Sequence, residues 1–190
     1  MFKKYDSNTT HIKITNAKLS GTIDFARFSS LRTLNVNYNE IKKLDNLPNT
    51  LIFLYCSNNK KIDMTRLPNS TEYLDCSECE IESLDMLPIN LRFLNCSKNS
   101  IRKLENLPFC LEKIYCPHNK IDNLDWIPNC VNEIDCSYNE LTNLDNLPSS
   151  ILTLNCGGNK IETLSNLPRN CKNVIFYGTI LNPPDGLLRK

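Results

Sequence analysis

The cysteine pair Cys76-x-x-Cys79 has the spacing of a redox-active dithiol and of one half of a zinc site. The chain has ten cysteines in 190 residues, a content that indicates disulfide bonds in a secreted protein. Its two histidines, His11 and His118, have no serine or cysteine nearby in the sequence context of a nucleophile. Phosphate-binding loops, zinc-protease motifs and dinucleotide fingerprints are absent from the sequence. The residues around the cysteine pair therefore decide whether it does chemistry.

Charge and hydropathy narrow the classes of partner. The net charge of +1 provides no overall field that would attract nucleic acid or a membrane surface. No apolar segment is long enough to span a bilayer, and the N-terminal MFKKYDSNTT lacks the apolar run of a signal peptide. We expect an intracellular, cytoplasmic protein, with a host cytoplasm as an alternative, that binds neither nucleic acid nor membrane.

The chain repeats every twenty residues from Leu31 to Asn170, without an insertion over seven repeats. Positions 1, 4 and 11 of the repeat are apolar with few exceptions, and an apolar residue followed by proline stands near its end, as in Leu47-Pro48. Position 6 is cysteine in six successive repeats: Cys56, Cys76, Cys96, Cys116, Cys136 and Cys156. Position 9 is asparagine in all repeats but one: Asn39, Asn59, Cys79, Asn99, Asn119, Asn139 and Asn159. Such regularity indicates a repeat architecture.

The repeat accounts for both members of the cysteine pair. Cys76 occupies position 6, where a small apolar side chain suits a narrow core. Cys79 occupies position 9, where its weak S–H donor can replace the asparagine amide. We favour this structural role over redox or metal chemistry, and predict no cofactor and no metal. Cys110 and Cys130 lie outside positions 6 and 9 of the repeat and are the candidates if any thiol reacts.

The elements follow from the same pattern. Apolar residues at positions 4 and 6 alternate with polar ones, which predicts a short strand with one buried face. One repeat cannot bury that face alone, so neighbouring repeats must stack into a parallel sheet. About ten residues remain to connect the end of one strand to the start of the next, fewer than a helical crossover needs. Proline also disfavours helix. We therefore expect extended or short 3₁₀ segments there, and little or no α-helix.

The pattern L-x-x-L-x-(C/V)-x-x-N-x-(I/L) resembles the leucine-rich repeat. The twenty-residue period with Leu-Pro is similar to the short repeats of secreted bacterial effectors of the YopM and IpaH type, and large DNA viruses carry similar arrays. Position 15 departs from the bacterial type, which often has proline where this chain has Asp45, Asp85, Glu105, Asp125 and Asp145. The resemblance implies an α/β-class leucine-rich-repeat solenoid, a horseshoe with a curved parallel sheet on its concave face.

The resemblance also implies a domain organisation and a class of function. We expect residues 1–190 to form a single solenoid, with an irregular N-terminal cap over 1–30, seven repeats over 31–170 and a C-terminal cap repeat over 171–190. Effectors of this type that ligate ubiquitin carry a separate catalytic domain, for which this chain has no room. We therefore predict a non-enzymatic scaffold that binds a protein, as an effector or a viral host-interaction protein.

Binding residues are expected where the repeat leaves the residue type open. Positions 3, 5 and 8 of the concave face carry the predicted binding residues Phe53, Tyr55, Tyr73, Phe93, Tyr115, Tyr38, Tyr138 and Asp75. Exposed aromatic residues are typical binding anchors, although cross-strand aromatic pairs can serve only to stabilise a sheet. A second candidate surface on the convex edge comprises Met86, Ile89, Phe109 and Trp126. Self-association through that edge, without a foreign ligand, is the alternative function, although we expect a monomer rather than a homodimer.

Overall fold

A computed structural model describes Phe2 and residues 4–177 of the chain. Residues 178–190, most of the predicted C-terminal cap, lie outside the described residues. The described part contains eleven strands: β1 (His11–Lys13), β2 (Ser20–Asp24), β3 (Thr33–Asn35), β4 (Glu40–Asp45), β5 (Phe53–Tyr55), β6 (Tyr73–Asp75), β7 (Phe93–Asn95), β8 (Lys113–Tyr115), β9 (Glu133–Asp135), β10 (Thr153–Asn155) and β11 (Asn173–Ile175).

Nine of the strands form one parallel sheet in the order β1-β3-β5-β6-β7-β8-β9-β10-β11. From β3 onward, each residue pairs with the residue twenty positions later, so that Leu54 pairs with Leu74 and Leu74 with Leu94. Strand β1 joins the same sheet with His11 opposite Thr33, which makes the N-terminal segment a coil two residues longer than the repeats. The predicted parallel-sheet solenoid is confirmed.

The returning segments contain no helix among the described residues. From the first repeat onward, each segment that returns to the next strand ends in a turn in which the proline carbonyl accepts a hydrogen bond from an amide three residues later, as from Leu51 N to Pro48 O at 3.1 Å. The first two coils add a feature that the repeat pattern did not predict, a two-stranded parallel sheet of β2 and β4. Ile41 and Leu44 are three residues apart, a spacing untypical of a strand. A register shift opposite Gly21 and Thr22 accommodates both as buried residues.

The core is a column of apolar side chains that runs the length of the solenoid, built mainly from repeat positions 1, 4, 6, 11 and 14. Its N-terminal end is closed by a cluster of three phenylalanines. The Phe2 ring lies 5.5 Å from that of Phe25 and 5.4 Å from that of Phe28, both in edge-to-face geometry. Phe2 thereby helps to cover the apolar face of the first coil, where Phe25 and Phe28 are fully buried.

The position-6 cysteines form a buried ladder inside this column. Several thiols donate weakly to a carbonyl of the next coil, as Cys116 Sγ does to Asp135 O at 3.3 Å. Burial raises the pKa of Cys56, Cys76, Cys116 and Cys136 well above the ordinary thiol value. All ten cysteines are free thiols. A protonated thiol is a poor nucleophile and a poor metal ligand, so this ladder acts as packing.

The position-9 asparagines hold neighbouring coils together. Asn59 is fully buried, and its Nδ2 donates to Val36 O, Cys56 O and Ser57 O at 3.0–3.2 Å. Its Oδ1 accepts a hydrogen bond from the backbone amide of Ile41 at 3.0 Å. Asparagines 39, 99, 119, 139 and 159 make closely similar contacts. One side chain therefore satisfies backbone groups of two coils that water cannot reach.

Cys79 makes only the donor half of these contacts. Its Sγ lies 3.3 Å from Cys56 O and from Ser77 O. Its side chain has no oxygen to accept a hydrogen bond from the amide at position 11 of the preceding repeat, which is Lys61. That amide bonds instead to Cys79 O at 2.7 Å, and Lys61 takes a left-handed conformation with φ 57°. Ile62 then fills the core position that Ile or Leu at position 11 fills elsewhere. The two exceptions of the sequence pattern are thus one structural adjustment.

Thr71 generates a stability prediction. It occupies position 1 of its repeat, where most repeats have Leu, Ile or Val, and its fully buried hydroxyl has no hydrogen-bond partner among the described residues. An unpaired buried hydroxyl costs about 1–3 kcal/mol. We expect the nearly isosteric Thr71→Val to raise the unfolding free energy by about 1 kcal/mol in urea denaturation. Ser70→Ala is the control, because the Ser70 hydroxyl does donate, to Leu51 O, and its loss should destabilise. A destabilised Thr71→Val variant would contradict the assignment.

Candidate functional site

Five of the predicted aromatic residues form one continuous track across the outer face of strands β5 to β8. The Tyr73 and Phe93 rings are stacked, with centroids 4.2 Å apart and planes 3° from parallel. Tyr73 also contacts Tyr55 at 5.0 Å and Phe53 at 6.1 Å. Phe93 meets Tyr115 edge-to-face at 5.1 Å. In-register pairing of position 3 on neighbouring strands brings these rings together. We call Phe53, Tyr55, Tyr73, Phe93 and Tyr115 the aromatic track.

Ionisable groups lie beside the track at Asp75 and at Glu133. Burial, with the nearby Tyr55 and Asp75, raises the pKa of Tyr73 to about 12. The Tyr115 hydroxyl donates to the Glu133 carboxylate, and this bond with burial raises the pKa of Tyr115 to about 12. Lys113 pairs with Glu133 at 2.6 Å, and this contact and the Tyr115 bond lower the pKa of Glu133. At neutral pH the track therefore presents neutral phenols beside carboxylates.

Asp75 is the acidic residue that lies against the track. It pairs in register with Tyr55 on one side and Asn95 on the other, and shares the outer face of β6 with Tyr73. Its Oδ1 accepts hydrogen bonds from the backbone amide and the hydroxyl of Ser77 at 3.1 and 2.8 Å. Position-5 asparagines cap the same turn, so one oxygen of Asp75 has a structural function.

Tyr38 and Tyr138 lie away from the track, at position 8. All seven residues at position 8 have a left-handed backbone, with φ between 53° and 70°. This turn follows the strand and places the position-9 asparagine inside. Tyr38 is exposed and belongs to no aromatic pair among the described residues.

Tyr138 belongs to a second aromatic cluster that the sequence did not predict. Its ring stacks on the His118 ring at 4.4 Å and lies 5.5 Å from that of Tyr177. Gly157 and Gly158 leave space for these rings, since a Cβ at 158 would lie 2.7 Å from the Tyr138 ring and a Cβ at 157 2.6 Å from that of Tyr177. The adjacent glycines in an otherwise glycine-poor array were the available signal.

The predicted convex-edge residues are all strongly exposed. Phe109 is 87% exposed, Met86 68%, Ile89 63% and Trp126 62%. They stand at positions 16 and 19 of the third to fifth repeats, and no aromatic contact joins Phe109 or Trp126 to a ring in the described part. We call these four residues the convex edge. Their exposure makes them a surface feature that adds nothing to the core.

Cys110 and Cys130 are exposed, as predicted, and line a shallow groove of about 740 Å³ together with the paired residues Arg92 and Glu112. No group of three or more metal-ligating side chains occurs within the described residues. Nor does any helix there have the length and apolarity to cross a membrane. The exposed aromatic surface of the sheet is the most developed candidate site.

Solved structures provide the comparison. YopM from Yersinia enterocolitica is 26% identical, with a TM-score of 0.71 over 88% of this chain and 42% of that one. This chain is a leucine-rich-repeat solenoid. The leucine-rich-repeat domain of a Shigella effector is 34% identical, with a TM-score of 0.55 over 64% of this chain and 57% of that one. Internalin C2 from Listeria monocytogenes shares the fold at 17% identity, with a TM-score of 0.74 over 88% of this chain and 80% of that one.

This leucine-rich-repeat chain spans less than half the length of the YopM structure and just over half of the Shigella domain. No protein-family model and no curated protein matches it. The similarity to the YopM and Shigella structures supports the general class of a protein-interaction scaffold.

The second aromatic cluster generates a prediction about Gly158. Gly158→Ala places a Cβ against the Tyr138 ring at a residue with φ +70°, a conformation that costs about 1–2 kcal/mol for a residue with a side chain. We expect the variant to lose at least about 1 kcal/mol of unfolding free energy in urea denaturation. Adding Tyr138→Ala should relieve the clash, so the double variant should lose less than the sum of the two single changes. Strict additivity would contradict the close packing of Tyr138 on Gly158.

Proposed function

We propose that this protein is a non-enzymatic scaffold that binds a partner protein through the aromatic track. The observation that carries the proposal is the row of rings itself, because Phe53 is 41% exposed and Tyr55, Tyr73, Phe93 and Tyr115 are only partly buried. Rigid aromatic side chains contribute large contact area at low entropic cost and are enriched among residues that dominate binding energy. The strands beneath fix their spacing, so the rings are organised before a partner arrives.

The broader role follows from the same scaffold. We propose that the partner belongs to a host cell, and that the protein acts as an effector or a viral host-interaction protein in the cytoplasm. The Shigella structure with which it shares 34% identity is that of an effector, which favours the first alternative. The small net charge favours a protein partner over nucleic acid or membrane.

Affinity purification with mass spectrometry tests the track. The wild type is compared with the combined variant Phe53→Ser, Tyr73→Ser and Phe93→Ser, after circular dichroism has shown that the variant is folded. We expect partners of the wild type to be lost, since truncated anchors typically cost at least about 2 kcal/mol each. The control variant Phe109→Ser with Trp126→Ser removes two exposed rings from the convex edge. It should still capture the partners of the wild type. Partners kept by the track variant and lost by the control would overturn the assignment.

The convex edge supports a second candidate function, self-association without a foreign ligand. Four large apolar side chains at least 62% exposed on adjacent repeats form the kind of surface that marks an interface. Under this alternative, sedimentation velocity at high protein concentration shows a dimer that Phe109→Ser with Trp126→Ser dissociates. The scaffold proposal predicts a monomer at every concentration, and a dimer that the double change abolishes would favour the alternative.

A further inference from the structure

We propose that the aromatic track and Asp75 together bind an arginine side chain of the partner, with the guanidinium stacked against the rings and paired with the carboxylate. This inference rests on the proposed function, because it names the chemistry of the partner at the same face. It follows from three features of the structure: the geometry of the rings around Asp75, the charge balance of the strand face, and the unused oxygen of this carboxylate.

The geometry places a carboxylate beside the aromatic side chains of Tyr55 and Tyr73. Tyr55 is the in-register neighbour of Asp75 on β5, and in-register residues of parallel strands are about 4.8 Å apart. Tyr73 precedes Asp75 by two residues and points to the same side of β6, and its ring is stacked on that of Phe93. A cation paired with Asp75 would therefore lie next to Tyr55 and Tyr73, whose ring quadrupoles attract positive charge.

The charge of this face is opposite to that of the whole chain. Positions 1–8 of the second to sixth repeats carry three cations and six carboxylates, a net charge of −3 on a chain of +1. The three cations are already paired, Arg92 with Glu112, Lys98 with Glu78 and Lys113 with Glu133. The carboxylates without an ion pair in the described structure are Glu72, Asp75 and Asp135. Charge complementarity therefore calls for a basic partner.

Asp75 differs from Asp135, which occupies the same position of the repeat three coils later. Asp135 caps its turn through Oδ1, and its Oδ2 accepts a hydrogen bond from Asn155 Nδ2 at 3.1 Å. Asp75 caps its turn through Oδ1, but its Oδ2 has no hydrogen-bond partner within the described residues. Of these two aspartates, Asp75 is the one that combines an available carboxylate oxygen with neighbouring aromatic rings.

Arginine fits this arrangement better than lysine. Its planar guanidinium can lie flat on an aromatic ring while its N–H groups donate to a carboxylate at the ring edge. A lysine ammonium is more strongly hydrated and cannot stack. The predicted ligand is therefore an arginine side chain on an exposed segment of a protein.

The probe is the peptide acetyl-Ser-Gly-Arg-Gly-Ser-amide, with citrulline in place of arginine as the neutral, nearly isosteric control. NMR titration follows the aromatic signals of Tyr55, Tyr73 and Phe93. We expect saturable shifts with the arginine peptide and an affinity about tenfold or more lower for the citrulline peptide. Equal affinity for the two peptides, or shifts confined to residues outside the track, would overturn the inference.

Two variants isolate the carboxylate. Asp75→Asn keeps the turn cap, since Asn95 makes the same bond to the Ser97 amide at 3.1 Å, and removes only the charge and the free oxygen. We expect this variant to bind the arginine peptide with about tenfold lower affinity, without a change in melting temperature. Asp135→Asn, the matched control, should bind as the wild type does. Unchanged affinity in Asp75→Asn, or an equal loss in both variants, would refute the assignment of Asp75.

The same variants separate this inference from the proposed function. Partners captured by the wild type and by Asp75→Asn, but lost from the variant of Phe53, Tyr73 and Phe93, would leave the aromatic track as the binding face and exclude the arginine. Partners captured by all three proteins would remove the track itself from function. Loss from both variants, with retention by Asp135→Asn, is the result that the inference predicts.

Discussion

The structure depends above all on the buried asparagine at position 9. A solenoid coil of twenty residues has to turn sharply at the end of its strand, and the turn leaves backbone carbonyls and amides inside the molecule. Asn59 shows how these groups are satisfied, with three carbonyls and one amide bound by a single side chain. Because some of these groups belong to the preceding coil, the asparagine also fixes the register between coils. An unpaired buried backbone group is too costly for the array to tolerate many exceptions.

This constraint separates the residues that the fold requires from those that are available for function. The left-handed residue at position 8 aims the asparagine inward, and left-handed backbone is unfavourable for a residue such as Tyr138. The fold thus fixes the backbone conformation at position 8 and does not fix the type of side chain there. Positions 3 and 5 alternate with buried position 4, and their side chains stand on the outer face of the sheet. The aromatic track and Asp75 occupy positions 3 and 5, and Tyr138 occupies position 8.

Much of the fold was predictable from the sequence because the period and the strand alternation leave few alternatives. The adjacency of the Phe53, Tyr73 and Phe93 rings followed from register alone. The sheet of β2 and β4 was not predictable, since its apolar spacing becomes compatible with a strand only through a bulge. The cluster of His118, Tyr138 and Tyr177 was missed because its members occupy two repeat positions and depend on Gly157 and Gly158 for space. The role of Lys61 required knowledge of the bond its amide makes to Cys79 O.

The central claim is that the asparagine ladder holds the coils together, and urea denaturation of Asn59→Ala tests it most directly. The account predicts a loss of about 3 kcal/mol or more in unfolding free energy, because the change leaves several buried backbone groups without partners. The neighbouring Lys60→Ala removes only an exposed ion pair with Glu80 and should unfold at nearly the same urea concentration as the wild type. An Asn59→Ala protein as stable as Lys60→Ala would contradict the account.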